Sequence, residues 1–388
     1  MAKKSFVEID IIKTVNNVIE EAIGQYVSDI HIEPLTSEII VRYRVDGILN
    51  IVARFDAKFY DQILSRIKIM SGLETTGLSR PQEGNLKFTA GEKNVDLRVS
   101  IFPTNLGENV VIRILESSES FENLSDIGYM PEQVKIVESV ISKPFGLILV
   151  TGPNGSGKST TLFNILNKLN NSEKSLATLE DPVERKVEMM RQTQINPEIG
   201  LTFAAGLRFL LRQDPDIIMV GEIRDKETAR IAVESAVTGH LVLATIHTNN
   251  AAGAIVRLIN MGVEPFLLST ALKFVSSQRL ARINCPSCRN SYTPALELLK
   301  IAGLPKNMDF FHSTGCPDCN HRGVKGRLGI HEVLVINKAI QDLILSKPSD
   351  KQINILAREQ GVQSLRQVAL DRVKQGLITI EEALRLTE

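Results

Sequence analysis

The chain has 388 residues, 43% hydrophobic and 23% charged, which suits folded, soluble protein with two or three domains rather than one core. Lys+Arg and Asp+Glu both total 45, so no net charge draws the whole molecule toward nucleic acid or an anionic membrane. With no Trp and 5% aromatic residues it also lacks the aromatic-interleaved basic surface that nucleic-acid motors use, and direct nucleic-acid binding is not expected.

No apolar run approaches the ~18 residues of a bilayer span. The start, Met1-Ala2-Lys3-Lys4, is basic, but Glu8, Asp10 and Lys13 interrupt any signal-peptide core. The expectation is a cytoplasmic chain without a transmembrane segment, touching a membrane only through partners. All four cysteines lie in Cys-x-x-Cys pairs, which in a reducing compartment favours metal over disulfides.

In chain order, residues 7–26 place Val7, Ile11, Ile12, Val15, Val18, Ile19, Ala22 and Ile23 at helical spacing. Strand-like segments follow at 28–33 and 38–45, closed by a turn at Asp46-Gly47. A helix near 57–71 leads to strands near 84–89, 94–101 and 108–115. Residues 116–128 are small and polar, a linker ending in a helix cap.

From about 144 the pattern changes to short apolar strands, 147–151, 175–179, 217–220 and 241–246, alternating with helices. One helix starts after Thr202. Another runs from an Asp225 cap to a stop at Gly239. Such alternation predicts a mainly parallel sheet with helices on both faces. These patterns divide the chain into an N-terminal α+β domain (1–116), a linker (117–130), an α/β core (131–283), a cysteine-rich insert (284–331) and a C-terminal helical region (332–388). No internal repeat is visible.

After the apolar strand at 147–151 come Gly152-Pro153-Asn154-Gly155-Ser156-Gly157-Lys158-Ser159-Thr160, a complete G-x-x-x-x-G-K-[ST] loop. Its glycines let backbone N–H groups face phosphate oxygens, and the helix that follows adds its positive end. Lys158 can reach the β- and γ-phosphates, and the Ser159 hydroxyl can ligate Mg²⁺. A plain glycine-rich turn would not need a buried strand before it and a helix after it. The loop therefore predicts binding of ATP with Mg²⁺.

Hydrolysis also needs carboxylates for the metal and for water. After strand 217–220 the usual aspartate position holds Gly221, and Glu222 follows. The acidic turn Glu180-Asp181-Pro182-Val183-Glu184 follows another strand and can supply the second carboxylate, since sites in parallel sheets form at strand carboxyl ends. His247, ending strand 241–246, suits a γ-phosphate sensor.

Cys285-Pro286-Ser287-Cys288 and Cys316-Pro317-Asp318-Cys319 are two knuckles separated by 27 residues. Four thiolates at this spacing suit tetrahedral Zn²⁺ in a closed structural site. His312 and His321 lie nearby but are not needed as ligands.

Taken together, the residues resemble the secretion ATPases that power type II secretion and type IV pilus assembly. The stretches that carry the resemblance are Ser28-Asp29-Ile30-His31-Ile32-Glu33-Pro34 with Val41 to Gly47, the phosphate loop, the acidic box 178–184, Leu211 to Asp216 running into Gly221-Glu222-Ile223-Arg224-Asp225, and Thr238 to Asn249. The glycine before Glu222 belongs to that pattern. The resemblance covers about 10–385.

It implies a RecA-like ATPase core assembled as a homohexameric ring, with the site between an N-terminal domain and that core. Arginines of the N-terminal domain reach the phosphates in this family, and by position these are Arg98 and Arg113. Glu222 is assigned to Mg²⁺ through water or to catalysis, and Glu180 to activating water, with Glu180 preferred as base. His31 and Glu33 are taken as structural.

Assembly and export members carry the tetracysteine element, whereas related pilus-retraction ATPases lack it, which favours assembly or export. The implied partner is an inner-membrane platform protein, with the ring peripheral to that membrane. Members often carry further domains ahead of the conserved one, which here begins almost at residue 1. Among other readings, a RecA-like nucleic-acid motor would show DNA-stimulated hydrolysis, a transporter ATPase would carry Leu-Ser-Gly-Gly-Gln, which is absent, and a non-hydrolysing scaffold would not need these carboxylates.

Overall fold

The computed structural model describes residues 10–76, 80–91, 93–115 and 123–387. They fall into two units that meet within 116–122, outside the described residues. Val7 and the first half of the expected linker also lie outside them.

In the first unit, Asp10 caps helix α1 (Ile11–Gly24) by accepting from the Lys13 N–H at 3.1 Å. The buried face of α1 is Val15, Ile19, Ala22 and Ile23, the helical stripe of the sequence pattern. Strands β1 (Asp29–Pro34), β2 (Glu38–Val45) and β3 (Ile48–Asp56) follow, then helix α2 (Tyr60–Met70), then β4 (Gln82–Ala90), β5 (Lys93–Thr104) and β6 (Gly107–Leu115). They form one antiparallel sheet in the order β3-β2-β1-β6-β5-β4. Alternate residues such as Leu97, Val99 and Ile101 on β5 are buried in one core with α1 and α2. β3 was not expected: it is an edge strand whose Ile48, Ile51 and Val52 stay exposed, so it lacks the alternation that marks a half-buried strand.

The second unit holds α3 (Pro131–Ile141), β7 (Gly146–Thr151), α4 (Lys158–Leu169), β8 (Leu176–Glu180), β9 (Met190–Gln194), α5 (Phe203–Leu210), β10 (Ile217–Val220), α6 (Lys226–Val237), β11 (Leu241–Ile246), α7 (Ala251–Asn260), α8 (Pro265–Ala271) and β12 (Leu272–Asn284). Then come β13 (Arg289–Tyr292), α9 (Leu296–Ala302), β14 (Phe310–Ser313), β15 (Val324–Val335) and helices α10 (Lys338–Leu345), α11 (Asp350–Glu359), α12 (Leu365–Lys374) and α13 (Ile380–Thr387). The large sheet runs β15-β12-β7-β11-β10-β8-β9, parallel except for β15. One hydrophobic core contains α5, α6, α7 and α8 residues, a second α3 and α4 residues. As expected, Asp225 and Thr202 cap α6 and α5, accepting from Thr228 N–H at 2.8 Å and Ala205 N–H at 3.2 Å.

Two expectations need correction. The second half of the expected linker, residues 123–130, packs as part of the second unit. Leu124 and Tyr129 are buried, and the segment is clasped from several sides. The Tyr129 ring stacks on His331 at 3.8 Å, its hydroxyl meets Ser276 Oγ at 2.9 Å, and His331 Nε2 meets the Ile127 carbonyl at 2.9 Å. Arg372 donates to the Gly128 carbonyl at 2.7 Å. Gly128 (φ +101°) runs so close to β15 that a Cβ would stand 2.2 Å from the Gly329 carbonyl.

Second, β15 passes without a break through the boundary expected at 331/332, pairing with β12 from Phe274 to Asn284. The cysteine-rich segment is therefore the far end of a β12–β15 excursion. Its Leu299, Ala302 and Phe310 share a core with Val368 and Ala369 of α12 and Ala383 and Leu384 of α13.

Candidate functional site

All six residues of β7 are buried, a continuous apolar strand that delivers the chain to the loop at 152–157. Gly157 adopts the left-handed region (φ +85°) and caps α4, so the loop turns directly into the helix with the first-turn N–H groups facing outward. The Lys158 ammonium folds over the loop, donating to the Gly152 carbonyl at 3.1 Å and the Pro153 carbonyl at 2.9 Å. Burial pulls its pKa down, the Glu222 carboxylate opposes that, and Arg279 adds to it. The Glu222 carboxylate thus favours the charged form of this ammonium, the form able to bind an anion. Ser159, the next residue of α4, is exposed.

The parallel order places the carboxyl ends of β7, β11, β10 and β8 in a row, so the loops that follow them share one edge of the sheet. Thr151 ties the first two together: its hydroxyl donates to the Ile246 carbonyl at 2.7 Å and accepts from the Thr248 N–H at 2.9 Å. Thr245 donates to the Gly221 carbonyl at 2.6 Å, joining β11 to β10. At Gly221 a Cβ would lie 3.0 Å from the Leu179 carbonyl, so β10 approaches β8 closely where many phosphate-loop proteins carry an aspartate.

Glu222 is 14% exposed and joined on both sides: His247 Nε2 lies 3.4 Å from one carboxylate oxygen, and Arg224 pairs with the other. Arg224 also lies 3.7 Å from Asp181. The expected residues Lys158, Glu222 and His247 thus come together. Glu180, ending β8, is set apart from β7 by two intervening strands, roughly 14 Å at ~4.8 Å per strand. Its carboxylate is buried and accepts from the Thr178 hydroxyl at 2.5 Å and the Gln192 amide at 3.0 Å. Burial raises its pKa, and those two hydrogen bonds oppose the rise.

Arg98 and Arg113 belong to the first unit, where they are directly opposite one another on β5 and β6 and so share a face of the sheet, as the hairpin reading expects. Arg113 Nε donates to Asp29 at 2.9 Å and Arg98 to Glu83 at 2.5 Å. On the same unit Glu33 accepts from Arg42 at 2.5 Å, and His31 Nδ1 lies 3.8 Å from it.

Sequence reasoning missed four residues around the loop. Gln278 and Arg279 on β12 touch the loop and the 247–249 turn, since Gln278 donates to the Ser156 carbonyl at 2.5 Å and Arg279 to the Asn249 carbonyl at 3.0 Å. Arg224 is the bridge just described. Glu332, buried on β15, accepts from the Ala251 N–H at 3.2 Å and from Arg358 at 3.1 Å. The available signal was the run Ser276-Ser277-Gln278-Arg279 between apolar segments, too polar to suggest a central strand.

The four cysteines converge. Cys285 and Cys316 sulfurs lie 3.8 Å apart, Cys316 and Cys319 3.8 Å, and Cys288 and Cys319 4.0 Å. A tetrahedron of sulfurs at ~2.3 Å from a metal has edges of about 3.8 Å, so the set fits Zn²⁺. Backbone N–H groups of Gly315, Cys316 and Gly323 point at these sulfurs at 3.2–3.3 Å. Such donors favour thiolate, the form that binds metal.

A phosphate loop on a parallel sheet, with acidic and histidine side chains gathered at adjacent strand ends, defines a nucleotide-binding α/β protein of the phosphate-loop class. Within that class the chain belongs to the family described as "Type II/IV secretion system protein", matched over residues 7–385. It is 44% identical over 380 residues to the type II secretion system ATPase E of Vibrio cholerae, covering 97% of this chain and 75% of that one. It is 45% identical over 379 residues to the type IV pilus assembly ATPase PilB of Thermus thermophilus, covering 97% of this chain and 43% of that one. Among solved structures, the pilus retraction motor PilT with bound ADP superposes with a TM-score of 0.63 at 26% identity, over 96% of each chain. The ATPase DotB of Legionella pneumophila shares the fold, with a TM-score of 0.73 at 22% identity over 99% of this chain and 97% of that one.

Proposed function

We propose that this chain hydrolyses ATP and turns the cycle into movement within a type II secretion or type IV pilus assembly machine. It works as a homohexameric ring in the cytoplasm, against an inner-membrane platform protein. The observation that carries the reading is Lys158 in the field of Glu222, itself joined to His247, in a chain 44% identical to a named secretion ATPase along 97% of its length. Among the described residues no helix is long and apolar enough to cross a membrane, which fits membrane contact through a partner.

When bound, Mg²⁺ would neutralise charge on the β- and γ-phosphates. One hydroxyl from Ser159 and one carboxylate from Glu222 suit it, because this ion keeps most of its shell as water and phosphate. Glu180 is assigned to water activation. Its position at a strand carboxyl end, its raised pKa and its fixed orientation from Thr178 and Gln192 support that role. His247 is assigned to sensing the γ-phosphate through its link with Glu222. Arg98 and Arg113 are assigned as phosphate-contacting cations; their shared face and the exposure of the Arg113 side chain, 64%, support this. The converged four-cysteine set, an element that retraction members lack by the resemblance, supports assembly or export over retraction.

Phosphate release and particle mass, measured with ATP and Mg²⁺, test the reading. Lys158→Ala should abolish turnover. Glu180→Gln and Glu222→Gln should each lower it by ~10²-fold or more while nucleotide still binds. A monomer that hydrolyses ATP at full rate without assembling contradicts the ring, and DNA-stimulated hydrolysis would favour a nucleic-acid motor.

A further inference from the structure

β12 lies beside β7 in parallel, with Ser276 opposite Val150 and Ser277 opposite Thr151. The next residue, Gln278, therefore stands where β7 gives way to the phosphate loop. Its side chain is 1% exposed, a depth at which a primary amide must find partners for both ends. It does so on either side of the loop's apex. Nε2 donates to the Ser156 carbonyl at 2.5 Å, and Oε1 accepts from the Thr161 hydroxyl at 2.8 Å. Thr161 is itself 1% exposed on the first turn of α4. One planar amide thus spans the stretch Gly157–Thr160.

The peptide bond makes this more than a brace. In a trans peptide the carbonyl of one residue and the N–H of the next point in opposite directions. With the Ser156 carbonyl held toward β12, the Gly157 N–H is turned the other way, into the cradle. Gly157 packs closely enough that a Cβ would lie 3.1 Å from Gln278 Nε2, so the amide also limits how far this peptide can rotate. Only a side chain that donates and accepts at once can do both. Glu cannot donate, Met does neither, and Asn is a methylene shorter.

We propose that Gln278 is a positioning residue for nucleotide phosphate, fixing the Ser156–Gly157 peptide so that its N–H faces the bound phosphates. This rests on the reading that 152–160 bind nucleotide, and Lys158→Ala separates the two.

The test titrates the full-length chain with fluorescent ATP and ADP analogues, alongside steady-state phosphate release and thermal unfolding without nucleotide. Gln278→Met and Gln278→Glu should each weaken binding of both nucleotides about tenfold. KM should rise by a similar factor, and the unfolding midpoint, which falls when buried groups lose their partners, serves to confirm that each variant is folded at the assay temperature. Thr161→Val, which removes only the helix-side bond, should weaken binding by about threefold. Gln278→Glu keeps the acceptor for Thr161 but adds a negative charge beside the phosphates, so the uncharged Gln278→Met is the variant that reads the loss of the Ser156 bond. The proposal is overturned if either variant binds ATP within twofold of wild type, even if its unfolding midpoint falls, because that is the result of a structural brace alone. Should Gln278→Met fail to fold, Thr161→Val decides, and binding within 1.5-fold of wild type, roughly half its expected effect, overturns the proposal. If Lys158→Ala also binds as wild type does, the loop reading fails instead.

Discussion

His331 offers a sharp test of how the segment entering the second unit is held. Its imidazole is buried, stacked on Tyr129 and bonded through Nε2 to the Ile127 carbonyl. Burial pulls its pKa down to about 4, the Ile127 bond opposes that, and the Arg372 guanidinium adds to it. In the unfolded chain the ring titrates near 6.5. Between those values the unfolded state binds more protons, so stability falls as pH falls. At ~1.36 kcal/mol per unit, wild type should lose about 2.5 kcal/mol from this one group between pH 7 and pH 4.5.

His331→Gln keeps a donor at the Nε2 position and cannot titrate, but it gives up the ring stack, worth ~1 kcal/mol or slightly more. The variant should therefore be less stable at pH 7, equal to wild type near pH ~5.5, and more stable at pH 4.5. Urea unfolding of both proteins over this range reads the difference directly, and carboxylates common to both cancel. A constant gap between the two across the range would refute the argument.

Other groups give further expectations. Glu382, 6% exposed, accepts from Arg282 at 2.5 Å and Arg385 at 2.7 Å; burial pushes its pKa up, but those arginines hold it at about 2. Its contribution, about 2 kcal/mol after screening at the half-exposed Arg385, should be present above pH ~4.5 and lost as pH falls toward 2. Glu382→Gln should lack that acid-limb slope in chemical unfolding. Gly128→Ala forces a Cβ within 2.2 Å of the Gly329 carbonyl at a φ that side chains avoid, so it should cost about 3 kcal/mol or more. A drop in unfolding midpoint of under 2 °C would mean the segment simply shifts. Metal analysis should find one Zn²⁺ per chain, lost in Cys319→Ser, and chelation should lower the unfolding midpoint of the second unit.

What was legible in the sequence follows from physics that is local. β7, β10 and β11 are unbroken apolar runs because both faces are covered, and Asp225 and Thr202 announce helix starts by their own hydrogen bonds. The phosphate loop is legible for the same reason, since its glycines, lysine and helix lie in one stretch. β12 and β15 were not, because their middle residues are chosen for what lies across from them. Ser276, Gln278, His331 and Glu332 are polar yet buried, and each bonds to a partner at least 80 residues away in the chain. Hydropathy periodicity cannot register such residues. The missing aspartate before Glu222 was visible, but the close passage of Leu179 beside Gly221 was not.

Tyr129 and the phosphate loop grip the same strand at points two residues apart, Ser276 and Gln278, on the same side of β12. About 7 Å of extended backbone separates them. A strand paired on both edges holds that spacing, so the phosphate loop and the segment 124–129 are anchored on one short stretch of backbone. The far end of β12 runs into Cys285, so the strand that both of them grip also leads into the first cysteine of the sulfur cluster.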